Sequence, residues 1–265
     1  MVSEPGARPR TSLYPSAIAA KFRARYDPAV TGQLHFSIVV PAHDEEAYIA
    51  ATLEHLRALD FPDERYEVVV VENGSSDRTL DVARRFEGGN VRVFASDTAG
   101  VSAAKNLGAD RTSSDSDWVV FLDADTLLKA NFLNDLEGLL RLARKPLSVG
   151  TSSVRPIGGG RAATAWFAYY DLAHRFGKGS YAIQIARRSV LSRVRFDETL
   201  VMGEDLRFIQ QARALGDFFF LRTATVYTST RRFESVGYWK LFLRWSVVAV
   251  LPQRVQKAFG YTVIR

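Results

Sequence analysis

Apolar residues in the first half of the chain come in short bursts, separated by longer stretches in which only every third or fourth position is apolar. The bursts at 36–40, 66–71, 91–95 and 118–122 are rich in β-branched and aromatic residues and have the length of strands buried on both faces. Between them, 47–59 places Ile49, Leu53, Leu56 and Leu59 on one side of a helix. Asn73-Gly74 supplies a turn, Ser76 or Asp77 caps a helix running to Phe86, and 101–109 forms a third helix. Strands alternating with helices of about ten residues predict right-handed βαβ units and a mainly parallel sheet.

The second half is less regular. A strand is predicted at 147–154, a flexible loop at 156–160, an aromatic-rich helix at 162–176 and another strand at 181–186. Gly203-Glu204-Asp205 opens a helix running to about Leu215, and 218–227 reads as one or two strands. A short basic helix at 16–26 carries no assigned role. The stretch from Tyr238 to Leu251 is greasy but interrupted by Lys240 and Arg244, and shorter than the roughly 20 apolar residues that a bilayer span needs. With Arg254 and Lys257 following, it suits either a terminal helix packed on the core or a membrane interface.

Composition sharpens this picture in two places. No cysteine is present, which excludes disulfides, zinc-thiolate sites and thiol catalysis and fits a reducing, cytoplasmic setting. The first 33 residues lack an apolar core long enough for a signal peptide. Net charge is +6, unevenly spread: 1–34 carries +3, 222–265 carries +7 and the span between them −4. The expected organisation is a basic extension at 1–34, a main domain at 35–233 and a basic, apolar segment at 234–265. Basic ends could meet anionic lipid at the inner face of a membrane or a phosphorylated ligand. For nucleic acid there is no recognisable module.

The chemistry is signalled by Trp118-Val-Val-Phe-Leu-Asp-Ala-Asp125, where a buried strand ends on two carboxylates. Ligands of open α/β sheets bind at the carboxyl ends of the strands. Two neighbouring carboxylates repel, and a divalent cation bridging to a phosphate relieves that repulsion. The same edge should receive Pro41-Ala-His-Asp-Glu-Glu46 after the first strand and Glu72-Asn73-Gly74 after the second. No Gly-x-Gly-x-x-Gly turn follows the first strand, against a dehydrogenase, and no Gly-rich phosphate loop with a basic residue is there, against a nucleotidyltransferase.

Ile38-Val-Val-Pro-Ala-His-Asp-Glu-Glu46, Val69-Val-Val-Glu-Asn-Gly-Ser-Ser-Asp77, Gly100-Val-Ser-Ala-Ala-Lys-Asn-Leu-Gly108, Asp123-Ala-Asp125 and Gly203-Glu-Asp205 stand in the order found in family 2 glycosyltransferases. The chain resembles that family from about Phe36 to Phe233. The resemblance implies a GT-A fold, an α/β, Rossmann-like, mainly parallel sheet flanked by helices, with a smaller mixed region on the acceptor side. It implies transfer of a single sugar from a nucleotide-diphosphate sugar to a glycan or lipid-linked acceptor, dependent on Mn²⁺ or Mg²⁺ and inverting.

Position by position, Pro41, His43 and Glu45 match the family's first nucleotide-contacting loop, and Glu72 matches the acid that hydrogen-bonds the base. Lys105 falls where a basic residue approaches the nucleotide. Asp123, Ala124 and Asp125 match the motif that carries the metal and diphosphate, with Asp123 and Asp125 as metal ligands. Asp205, beside Glu204, matches the general base, and Arg231 and Arg232 lie where basic residues meet the phosphates. For Glu204-Asp205 the structural alternative is favourable charge at a helix N-terminus. Glu72-Asn73 replaces the commoner Asp-Asp, and His43-Asp44 replaces Tyr-Asn. The Gln-x-x-Arg-Trp signature of polymerising members is replaced by Thr230-Arg231-Arg232-Phe233, which favours single transfer. The competing class is a membrane-surface adaptor that keeps the fold without catalysis.

Overall fold

In the computed structural model, residues 32–98, 100–179, 182–200, 203–237 and 240 are described. Its central strands are buried on both faces because period-two alternation feeds two separate cores. Strands β1 (Phe36–Ala42), β2 (Tyr66–Glu72), β3 (Val91–Ala95) and β4 (Trp118–Leu122) run parallel in the order β3-β2-β1-β4. They are connected by α1 (Ile49–Arg57), α2 (Thr79–Arg84) and α3 (Val101–Arg111). Ile38, Val40, Val68, Val70, Val120 and Leu122 pack on one side with Ile49, Leu53 and Leu56 of α1. Val39, Val69, Val71, Val119 and Phe121 pack on the other with Ala104 and Ala109 of α3.

Close approach of α3 to β1 depends on Gly108, since a Cβ there would lie 2.2 Å from Val39 Cγ1. Pro41, which has no N–H to give, sits past Val39, where β1 pairs only with β2.

After Leu122 the chain departs from simple alternation. A short strand, β5 (Thr126–Leu128), leads to α4 (Phe132–Leu142), whose Phe132, Leu133, Leu136 and Leu140 join the first core. The large sheet then continues β4-β8-β6-β9, through β6 (Leu147–Ser152), β8 (Ile183–Arg187) and β9 (Asp217–Leu221). Only β8 runs against the others. A second sheet, β5-β10-β7, joins β7 (Arg155–Ile157) to β10 (Val226–Ser229) and has mixed direction. Three helices complete the order: α5 (Gly160–Gly177), α6 (Glu204–Ala212) and α7 (Arg231–Val236).

The parallel half matches the sequence expectation closely, and the differences lie in the second half. Part of the loop expected at 156–160 is strand, because Arg155–Ile157 pairs with β10. The helix opened by Glu204 ends at Ala212, and a single tighter turn carries the chain to Leu215. The stretch 218–227 divides between the two sheets. Neither β5 nor α4 is among the predicted elements. The helix expected at 16–26 and the apolar stretch from Tyr238 onward lie outside the described residues, Lys240 apart. Among the described residues no helix is long and apolar enough to cross a membrane.

Candidate active site

The ends of β1, β2 and β4 open at one edge of the large sheet, and the start of antiparallel β8 meets them there, with Leu122 paired to Ile183. Side chains from these ends and from helices α3, α6 and α7 form three linked groups.

The loops after β1 and β2 are laced together. His43 Nδ1 lies 3.1 Å from the Asn73 carbonyl oxygen, and the Asp44 N–H donates to Ser75 Oγ over 3.1 Å. In return the Ser76 N–H donates to Asp44 Oδ1 over 2.7 Å. The Glu45 N–H reaches Thr79 Oγ1 at 2.7 Å and the Glu46 N–H reaches Asp77 Oδ2 at 3.1 Å. Asp44 takes a left-handed conformation, φ 52°, to make this possible. Glu72 is buried at 5% exposure, and its Oε1 accepts from the Ser75 N–H. Burial raises the Asp77 carboxyl, but hydrogen bonds from Thr79 outweigh it and leave the group below its ordinary range.

A second group gathers around Arg231. The second sheet delivers it: the Ser229 N–H donates to the Asp125 carbonyl over 3.2 Å, and two residues later α7 begins. The guanidinium of Arg231 pairs with Glu45, lies 3.2 Å from Asp125 Oδ2 through Nε, and sits 4.4 Å from the centroid of the Tyr48 ring. Burial raises the Glu45 carboxyl; Arg231 pulls it back down, while Asp125 and Asp123 push it up again, and the net direction is upward. Those repulsions put Asp123, Asp125 and Glu45 in one electrostatic neighbourhood. Glu45 Oε2 is buried without a hydrogen-bond partner among the described residues. Between the two aspartates the Ala124 side chain is buried, and its carbonyl accepts from Thr52 Oγ1 at 2.6 Å, which fixes the loop on α1.

The third group centres on Lys105. Its side chain is 1% exposed, with Nζ 2.7 Å from Asp205 Oδ1, 2.9 Å from Gln184 Oε1 and 5.0 Å from the centroid of the Phe196 ring. Burial works against the ammonium, but Asp205, Asp123 and Glu204 outweigh it and hold its pKa above the ordinary value. Glu204 is pushed up to about 7, chiefly by burial and then by Asp205 beside it.

Most residues singled out from the sequence thus meet at one edge. Asp123 lies within electrostatic reach of both the Arg231 and the Lys105 groups. Glu72 stands apart: it ends β2, with β1 between it and Asp123. Pro41 contributes backbone within β1, and the side chain of Arg232 is not among those described. Sequence reasoning did not single out Tyr48, Thr52 or Gln184. Of these only Gln184 left a signal, as the lone polar residue in the apolar run Ala182-Ile-Gln-Ile-Ala186.

Comparison with known proteins agrees with this architecture. The model of the family described as "Glycosyl transferase family 2" matches residues 37–199, more than half of the chain, and ends before Glu204, Asp205 and Arg231. The poly(ribitol-phosphate) beta-N-acetylglucosaminyltransferase TarS of Staphylococcus aureus is 30% identical over 103 residues, covering 38% of this chain and 18% of that protein. The minor teichoic acid biosynthesis protein GgaA of Bacillus subtilis is 24% identical over 197 residues, covering 66% of this chain and 42% of that protein. The chain therefore spans less than half the length of these relatives. Among solved structures, S. aureus TarS 1-349 in complex with UDP-GlcNAc superposes with a TM-score of 0.64 at 22% identity, over 84% of this chain and 69% of that one. Glucosyl-3-phosphoglycerate synthase from Mycobacterium tuberculosis, in complex with Mn²⁺, UDP and phosphoglyceric acid, does so at 0.56 and 20% identity, over 83% and 80%. At those identities the superpositions speak for the fold, an α/β GT-A architecture. With the family match over residues 37–199, they establish that the chain belongs to glycosyltransferase family 2, a family of sugar-transferring enzymes.

Proposed function

We propose that the protein transfers one sugar from a nucleotide-diphosphate sugar to an acceptor hydroxyl, with the help of a divalent cation and with inversion at the anomeric carbon. The observation that carries this reading is the meeting at one sheet edge of the Arg231 group with the group holding Asp205, Asp123 lying within reach of both.

The donor set suits a hard cation such as Mn²⁺ or Mg²⁺. Asp123, Asp125 and Glu45 offer carboxylate oxygens alone, and the buried Glu45 Oε2 lacks a partner among the described residues. Among these residues no three or more His, Asp or Glu side chains form a cage, so Asp123 and Asp125 would hold the ion together with donor phosphates. When bound, such an ion neutralises charge on the departing diphosphate.

The remaining roles belong to the chain's own side chains. The Arg231 guanidinium, oriented by Tyr48 and Glu45, donates charge-assisted hydrogen bonds to the diphosphate. The loops after β1 and β2, laced as described, form the floor for the nucleoside, with His43 and Glu72 at its margin. Asp205 takes the proton from the attacking hydroxyl. Glu204, protonated across much of the acid range, keeps a second negative charge away from that base.

Relatives bear on donor and acceptor only through what they are called. TarS is a poly(ribitol-phosphate) N-acetylglucosaminyltransferase, and a dolichyl-phosphate-directed glycosyltransferase of Methanococcus voltae is 24% identical over 199 residues. The TarS complex with UDP-GlcNAc supports a uridine-diphosphate donor, and the two names support a glycan or lipid-linked acceptor. The basic, apolar segment at 234–265 would bring the enzyme to such an acceptor at the inner face of a membrane.

The test is a melting screen with UDP, GDP and their common sugars, with Mn²⁺ and with EDTA, followed by turnover assays on every donor that binds. At least one diphosphate should raise the melting temperature with Mn²⁺ and not with EDTA. Binding of none, and turnover of none, would leave an adaptor of the same fold. Product anomer analysis checks inversion.

A further inference from the structure

We infer that Lys105 is a positioning residue for Asp205, locked by Gln184, rather than a ligand of the donor phosphates. This inference rests on the reading of Asp205 as the base.

A lysine that gripped phosphate would keep its ammonium at the open cleft. Here it is sealed at 1% exposure, one acceptor being the Asp205 carboxylate at 2.7 Å and another the Gln184 amide oxygen at 2.9 Å. Gln184 is itself fully buried on β8, next to β4, and so cannot retreat. The next residue on α3 makes the arrangement rigid. Asn106 Nδ2 donates to the Phe196 carbonyl over 2.9 Å, and the Phe196 N–H donates to Asn106 Oδ1 over 3.0 Å. Phe196 in turn stacks on Phe208 of α6 with centroids 4.1 Å apart. Helix α3 thus fastens α6 through Asn106 and its first-turn carboxylate through Lys105. Fixing one oxygen of Asp205 on a buried cation orients the carboxylate and holds it ionised, at the cost of some basicity. Lys105 faces Asp205 from α3 and Glu204 acts on it from the same turn of α6, and both of these neighbours also feel Asp123.

The test measures donor turnover, nucleotide-diphosphate affinity and melting for Lys105→Met, Lys105→Arg and Gln184→Leu, with a ¹³C NMR titration of the Asp205 carboxyl, which needs no donor. For Lys105→Met we expect kcat to fall by about tenfold or more, donor KM to stay within about twofold, and the Asp205 carboxyl and acidic limb of the rate profile to move up by about one pH unit. Lys105→Arg, which keeps the charge, should leave that limb in place. Gln184→Leu keeps the ammonium and removes one acceptor; its kcat should fall by about fivefold with the limb unmoved, and it carries the test if Lys105→Met does not fold. Wild-type kcat in a folded Lys105→Met or Gln184→Leu, or loss of diphosphate affinity with kcat kept, overturns the inference. Asp205→Asn separates the two readings. If it transfers sugar normally, Asp205 is not the base; if it is inactive while the other variants behave as wild type, only the positioning role fails.

Discussion

Glu204 and Asp205 are adjacent in sequence yet meet opposite environments. Asp205 has an ammonium at 2.7 Å, whereas the half-buried Glu204 has a carboxyl pushed up to about 7, chiefly by desolvation and then by the like charge of Asp205. The sign of the linkage follows. Its folded pKa exceeds the unfolded one, so the stabilisation from keeping it protonated is complete below its ordinary value of 4.5 and is lost as pH rises through about 7. Glu204→Gln should therefore melt above the wild type at pH 8 and lose that advantage below pH ~4.5, as melting curves across pH will show. Arg231 supports a second prediction. Its planar fork spans Glu45 and Asp125 while stacked on Tyr48, a geometry that the point charge of lysine does not reproduce. Arg231→Lys should weaken nucleotide-diphosphate binding by about tenfold, measured by calorimetry.

Among the elements, α3 shows where propensity and packing disagree. Glycine inside a helix costs about 1 kcal/mol relative to alanine, so propensity alone would have Gly108→Ala stabilise the protein. A Cβ there would lie 2.2 Å from Val39 Cγ1, and Val39 is β-branched, fully buried and in the strand at the centre of the parallel block. Overpacking of this kind costs about 1–3 kcal/mol and should win. Urea unfolding of Gly108→Ala should show a net loss. The elements that sequence reading recovered are those in which periodicity is strong and local, β1 through β4 with their helices. Those it missed owe their form to distant partners. Arg155–Ile157 is strand because β10 is beside it, and β5 is three residues long and defined by the same neighbour. Helix α4 differs from these: Phe132, Leu133, Leu136 and Leu140 follow a helical period, so its signal is local even though the sequence reading assigned no element to that stretch.

At the scale of the molecule, the parallel block could be foreseen because each of its loops bears its own polar signature. The convergence of Asp123, Asp125 and Asp205 was legible as motifs in order. That Lys105 turns inward beneath Asp205 was not, since a buried ammonium depends on Gln184 and Phe196, about 80 and 90 residues away. Carboxylates at the edge also make stability depend on what fills it. A diphosphate and Mn²⁺ at about 100 times their dissociation constant should add about 2.7 kcal/mol, lost on chelation, and calorimetric melting will measure it.

The short ladder between β10 and β5 has a temporal corollary. Asp125 is made early, whereas the strand that brings Arg231 to it lies about 100 residues downstream. During translation the parallel block precedes the guanidinium that pairs with its Asp125. The cleft is finished only once Arg231, which follows Val226–Ser229, has been made and docked, so a chain ending at Leu221 would lack the guanidinium that pairs with Asp125.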